Sequence, residues 1–261
     1  MDHDPQNPDT QIATLGEDLV LLTVQQGGGR LTAPNVTGVG LMGAELVRLA
    51  AGGRVGIASE RITVLDAAPT GDAEADAALA SLAVQKRPPK AKAWCGRPRR
   101  GICDAYLARL AATGAITAQE QTRLGFIRVT RWQVTGPPRA AGARARLDAI
   151  AQGTGQVDLG QAAFGGLAHA IGLAGRLYPD RDGRDRRKRL ELVADGGLTA
   201  GPDGPAQHAH HAVSHAVHAA SHAAVSAAVH SATHAAVSAA HSAHAAHSAG
   251  GGHGGGGHAG H

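Results

Sequence analysis

The sequence predicts a mainly α fold: a single helical domain with a winged-helix-like hairpin and a second β-hairpin, followed by a low-complexity tail. Three observations predict it. Apolar residues recur at helical spacing through most of the first two hundred positions. Two stretches alternate instead, Val55/Ile57 with Ile62/Val64, and Ile116 to Val134. From about Ala206 the chain is almost wholly Ala, His, Ser, Val and Gly, without Lys, Arg, Asp or Glu. The expected organisation is a disordered N-terminus over 1–13, a helical domain over 14–200 and a His/Ala/Gly-rich tail over 201–261. The body is long enough for one domain with its own core.

The elements follow in order. Thr14 and Glu17 match a capping box opening a helix to about Leu22, and Gly27–Gly29 break it. A second helix, about Gly38 to Ala51, turns Leu41, Ala44, Val47 or Leu46, and Leu49 inward. Glu45 and Arg48 are expected on its wet side, with Gly52-Gly53 as the stop. The Val55–Val64 hairpin behind it resembles the wing of a winged-helix module. Asp72 can cap a third helix to about Gln85, and Lys86-Arg-Pro-Pro-Lys-Ala-Lys92 is a basic loop, since paired prolines stop a helix. Trp94 anchors a short segment. Arg97, Arg99 and Arg100 then enter a helix carrying Ile102, Tyr106, Leu107 and Leu110, which ends at Gly114. Pro137-Pro138 end the second hairpin. Two helices are expected over about 139–151 and 159–177, and an Arg-rich last helix over 180–195.

Composition narrows the function. The 25 Lys and Arg and 21 Asp and Glu all precede the tail, so the body carries the formal +4. That excess fits an anionic partner but is too small to indicate nucleic acid, and no nucleic-acid partner is expected. The high share of Arg, Ala and Gly reads as the coding bias of a GC-rich bacterial genome. Cys95 and Cys103 form no CxxC pair and suggest no disulfide framework, which fits a reducing cytoplasm. The polar N-terminus does not read as a signal peptide, and no run approaches bilayer-spanning length. Membrane association, if present, is expected to be peripheral, on the cytoplasmic face.

One motif invites a different reading. Gly38, Gly40 and Gly43 spell GxGxxG, with Asp66 downstream. A dinucleotide site needs a buried strand running into the first glycine. Here Leu31-Thr-Ala-Pro34-Asn-Val-Thr37 precedes it, Asp66 ends a hairpin, and no βαβ alternation follows. Close helix packing is the expected role of these glycines. No triad, acid/base pair or metal motif is evident in the body, so no enzyme and no cofactor is expected. Cys103 has no base to activate it, and His169 reads as a hydrogen-bonded core residue.

Five blocks together resemble the Golgi phosphoprotein 3 family in its bacterial, actinobacterial-type branch. They are EDLVLL (17–22), LVRLAAGGRV (46–55), APTGD (68–72) with Asp76 and Leu79, LARLAATGAI (107–116), and FGGLAHAIGLAGRLYP (164–179) with the basic run after it. The resemblance covers about Thr14 to Leu198. It implies a mainly helical domain with short hairpins, and, from eukaryotic members, a peripheral membrane protein. Those members bind phosphatidylinositol 4-phosphate and sort glycosyltransferases. The family pocket uses a Trp before the second helix, an Arg in that helix, and two Arg three residues apart. Those positions fall near Ala33, at Met42, and at Arg100 and Cys103. Arg100 is therefore the pocket residue carried over, with Arg97 and Arg99 as basic neighbours. The family's second hairpin, which serves self-association and membrane contact, corresponds to about Gln119–Thr130 and here carries Leu124, Phe126 and Ile127.

The expected function is binding of anionic phospholipid headgroups, phosphatidylinositol 4-phosphate by resemblance, with the Leu124/Phe126/Ile127 hairpin either inserting in the membrane interface or pairing subunits into a homo-oligomer. The alternative is a soluble protein-interaction or regulatory module without a lipid ligand. Fourteen of the sixteen histidines lie from His208 onward. His211, His215, His218 and His222 would share one helical face able to chelate a divalent metal, and a low-complexity extension is the competing reading.

Overall fold

Ten helices and two antiparallel hairpins make up residues 8–123, 126–196 and 198, the part of the chain described by the computed structural model. Helix α1 (Pro8–Ala13) begins earlier than the sequence suggested. It leads directly into α2 (Leu15–Gln26), whose Leu15, Leu19, Val20, Leu21, Leu22 and Val24 are all buried. The expected capping box does not form. The Thr14 hydroxyl donates to Asp18 Oδ2 at 3.0 Å, and Glu17 turns away to pair with arginines of later helices.

Helix α3 (Pro34–Ala51) is the element the others pack around, touching α1, α2, α4, α5, α6 and α8. It starts four residues before the expected position. Pro34 sits in its first turn, where a missing N–H is no loss, and Ala33 supplies the left-handed entry at φ 46°. The glycine motif lies inside this helix and is packing, as expected. A Cβ on Gly38 would stand 3.0 Å from Pro98 Cβ, and one on Gly40 would stand 2.7 Å from Ile171 Cγ2. Gly53, at φ 68°, follows the helix end.

Strands β1 (Val55–Ala58) and β2 (Arg61–Val64) pair Val55 with Val64 and Ile57 with Ile62, burying Val55 and Ile62. Ser59 and Glu60 both have positive φ, which is the turn that matches strand twist. Asp72 caps α4 (Ala73–Ala83) as predicted, its Oδ1 accepting from the amides of Glu74 and Ala75. The basic loop then lies along β2. Ile62 N–H donates to Pro89 O at 2.9 Å, Ala91 N–H donates to Glu60 O at 2.8 Å, and Arg61 bridges to Lys90. Helix α5 (Ala91–Cys95) and α6 (Ile102–Ala112) complete this half, with Gly114 at φ 69° behind α6.

Strands β3 (Ile116–Arg123) and β4 (Ile127–Val134) pair from Ile116/Val134 to Arg123/Ile127. The hairpin is held at its base, where Trp132 N–H donates to Gly29 O at 2.7 Å and Ala115 O accepts from Thr135 and Gly136. Its outer residues 117–122 are exposed. Pro137-Pro138 do not merely end the hairpin; they open α7 (Pro137–Gln152). The expected long apolar helix is two, α8 (Leu159–Ala170) and α9 (Leu173–Leu177). Gly172 at φ 72° breaks it, a conformation a helix cannot continue. Helix α10 (Gly183–Ala194) packs on α7 and α8. Among the described residues no helix is long and apolar enough to cross a membrane.

Candidate functional site

Residues from the sequence blocks that carry the resemblance meet in one polar cluster that their separate positions did not reveal. Glu17 from the first block pairs with Arg109 and Arg139. Arg109 reaches Asp72, the cap of α4, and Asp72 also receives Arg48 at 3.1 Å. Arg48 continues to Glu45 at 3.3 Å, and Glu45 accepts the hydroxyl of Tyr106. Glu45 is completely buried, not on a wet face as its spacing to Arg48 suggested. Burial pushes its carboxyl pKa up, and Arg48 and the Tyr106 hydroxyl oppose that without cancelling it. Burial also raises the Tyr106 phenol, as does Glu45 beside it. At Asp72 burial acts in the same direction, but the Arg48 hydrogen bond, the Ala75 amide and Arg109 outweigh it and hold the carboxyl below its usual value. Every member has a partner, so the cluster fastens α2, α3, α4, α6 and α7 together and leaves no group for a ligand.

Beside this cluster lies a cavity of about 270 Å³. Met42 of α3 and Trp94 of α5 line it with apolar surface; Ser81, Gln85, Arg97 and Arg99 add polar groups. The Trp94 indole N–H donates to Ser81 Oγ at 3.2 Å, fixing the ring, and Ser81 Oγ donates to Ala78 O at 2.7 Å. Gln85 Nε2 donates to Ser81 O at 3.2 Å, which leaves its carbonyl and second N–H free. Arg99 is tied to Glu74. Arg97 is exposed and has no ion-pair partner among the described residues. Lys86, Arg87, Lys92 and Arg100 are exposed in the same way, each close in sequence to a lining residue, whereas Lys90 is paired with Glu60.

The other candidates fall as follows. Arg97 and Arg99 line the cavity, while Arg100 is exposed one position before the left-handed Gly101 and is not part of the lining. Met42 is buried in the cavity wall, Ala33 is the residue before α3, and Cys103, in the first turn of α6, donates its thiol to Pro34 O at 3.5 Å. Burial raises that thiol's pKa to about 11 and the Cys95 thiol's to about 12. Phe126 is 79% exposed at the hairpin tip. Leu124 lies outside the described residues, as do the tail residues His211, His215, His218 and His222, and Ile127 is placed in β4 by its backbone. His169 is half-buried in the last turn of α8. Among the described residues no group of His, Cys, Asp or Glu could hold a metal.

The Arg-rich last helix is less available than its composition suggested. Arg189 donates to Ile150 O and Gly155 O, both at 2.6 Å, and Arg187 donates to Tyr178 O. The Arg186 guanidinium lies 5.4 Å from the Tyr178 ring centre, and Arg144 lies 5.1 Å from it. Three of its basic residues therefore hold the helix in place. The signal for the cavity was weak in sequence, because Ser81, Gln85 and Trp94 belong to separate segments; only the isolated Trp amid basic residues marked it.

The profile of the Golgi phosphoprotein 3 (GPP34) family matches residues 15–227. The chain belongs to the Golgi phosphoprotein 3 family. Comparison with curated proteins gives no match. The family assignment covers every element from α2 to α10 and continues into the Ala/His-rich segment. In this Golgi phosphoprotein 3 member, Met42 holds a position where the family resemblance expects an arginine, and its thioether is buried in the wall of the cavity just described.

Proposed function

We propose that this protein is a non-enzymatic peripheral membrane protein that docks its α4–α6 face on anionic phospholipid at the cytoplasmic side of a membrane. The observation that carries the reading is the set of five cations, Lys86, Arg87, Lys92, Arg97 and Arg100, that are exposed and without an ion-pair partner among the described residues; Arg97 lines the cavity, and the other four lie close in sequence to its lining residues. Charges left unpaired at one site favour an anionic surface, where each adds about 1 kcal/mol. Five such groups contribute about 5 kcal/mol, enough for salt-sensitive, reversible docking. The basic loop is held along β2 by backbone hydrogen bonds, so its cations are presented by a fixed scaffold. Phe126 at the hairpin tip supplies an apolar contact for the interface or for a second copy. The resemblance adds phosphatidylinositol 4-phosphate as a specific ligand to test. No catalysis is proposed: the thiol of Cys103, the nearest candidate nucleophile, is raised to about 11 by burial and by the Asp104 carboxylate, which disfavours the reactive thiolate.

Hydrogen exchange with and without anionic vesicles tests the reading. Protection is expected at residues 86–101 and at the hairpin tip. Protection confined to other surfaces would refute it.

A further inference from the structure

The cavity also restricts which anionic headgroup it suits. This headgroup preference, which rests on the lipid-docking reading above, comes from the chemistry of the lining. Arg99 is neutralised by Glu74, so Arg97 is the one uncommitted cation among the lining residues. A second positive charge is missing from the α3 wall, where Met42 is buried with 4% of its surface exposed. One guanidinium balances a phosphodiester, which carries a single charge. A phosphomonoester carries between one and a half and two charges near neutral pH. It would bring excess negative charge against a buried thioether and an indole, where desolvating it is costly.

The remaining lining groups are neutral hydrogen-bonding atoms and flat apolar surface. Gln85 offers a free carbonyl and a free N–H, a pair that suits a hydroxyl acting as donor and as acceptor. Trp94 is fixed through Ser81 and presents an aromatic surface able to cover the C–H face of a polyol. The cavity of about 270 Å³ is equivalent to about nine waters of liquid, enough for a hydroxylated headgroup.

We propose that the cavity takes a phosphodiester joined to a neutral polyol, the headgroup chemistry of phosphatidylglycerol and phosphatidylinositol, in preference to a phosphomonoester headgroup. The membrane lipid, not a free soluble phosphodiester, is the source.

The test uses the full chain and phosphatidylcholine vesicles brought to equal surface charge with phosphatidylglycerol, phosphatidylinositol, phosphatidic acid or phosphatidylinositol 4-phosphate. Binding to the first two is expected to be about tenfold tighter, the worth of one well-made hydrogen bond. Gln85→Ala, at an exposed position in the loop after α4, should bring all four to the level of phosphatidic acid. Arg97→Ala should weaken all four. Equal binding of the four lipids by the wild-type chain would overturn the headgroup preference and leave the anionic-surface reading intact. Binding to none would overturn both. Tight binding of glycerophosphoinositol to the free protein, equal to that of the vesicle lipid, would assign the site to a soluble ligand and overturn the membrane source.

Discussion

Replacing Gly40 and Gly142 with alanine in turn separates packing from propensity inside one protein. Both glycines lie within helices, Gly40 in α3 and Gly142 in α7. Alanine is favoured over glycine in a helix by about 0.5–1 kcal/mol, so propensity alone stabilises both variants. Their surroundings differ. A Cβ on Gly142 meets nothing within 4 Å, whereas one on Gly40 lies 2.7 Å from Ile171 Cγ2. That methyl belongs to a stiff β-branched side chain and cannot swing away, so overpacking costs about 1–3 kcal/mol. The net expectation is a gain of about 0.5–1 kcal/mol for Gly142→Ala and a loss of about 1–2 kcal/mol for Gly40→Ala. At about 2–4 °C per kcal/mol for a domain of this size, calorimetry should show Tm rising in one variant and falling in the other. Adding Ile171→Leu, which removes the Cγ2 branch, should recover much of the Gly40→Ala loss. A stabilised Gly40→Ala protein would refute the packing account of the GxGxxG motif.

Three further outcomes follow from the same structure. Tyr106→Phe removes the donor to fully buried Glu45 and should lower stability by about 1.5–3 kcal/mol in urea unfolding, the range for hydrogen bonds to charged groups. Asp72→Asn keeps a capping residue but removes the charge paired with Arg48 and Arg109. Because the Asp72 carboxyl is held below its ordinary value, its ionic contribution is present above about pH 4 and is lost as pH falls through the lowered folded value. Wild type should therefore exceed Asp72→Asn in stability at neutral pH, and the two should converge in acid. Phe126→Asp, at a site 79% exposed, should change stability by less than about 0.5 kcal/mol while weakening vesicle binding or self-association measured by ultracentrifugation.

Local chemistry was legible where one residue type enforces one geometry. Asp72 caps α4, Gly53 and Gly114 follow helix ends in the left-handed region, and the alternating stretches pair as hairpins. What stayed hidden depends on tertiary contact. Glu45 and Arg48, three apart, look like an exposed pair, and only the Tyr106 hydroxyl arriving from α6 shows why the carboxylate is buried. Arg187 and Arg189 look like free surface charge until their carbonyl acceptors come from distant turns. The break at Gly172 was masked by apolar residues on both sides of it. The cavity shows the same limit: Arg97 and Arg99 were legible as basic residues, but their neighbours Met42, Ser81, Gln85 and Trp94 are assembled by folding.

The most direct measurement is flotation of the full chain with phosphatidylcholine vesicles carrying increasing phosphatidylglycerol, for wild type and for a variant with Lys86, Arg87 and Lys92 changed to Gln. These three side chains are exposed and unpaired among the described residues, so their loss leaves the fold intact. Docking through the basic face predicts that wild type floats in proportion to anionic lipid and is released by salt, while the triple variant stays at the bottom. Equal flotation of both proteins, or no dependence of wild type on anionic lipid, would contradict it.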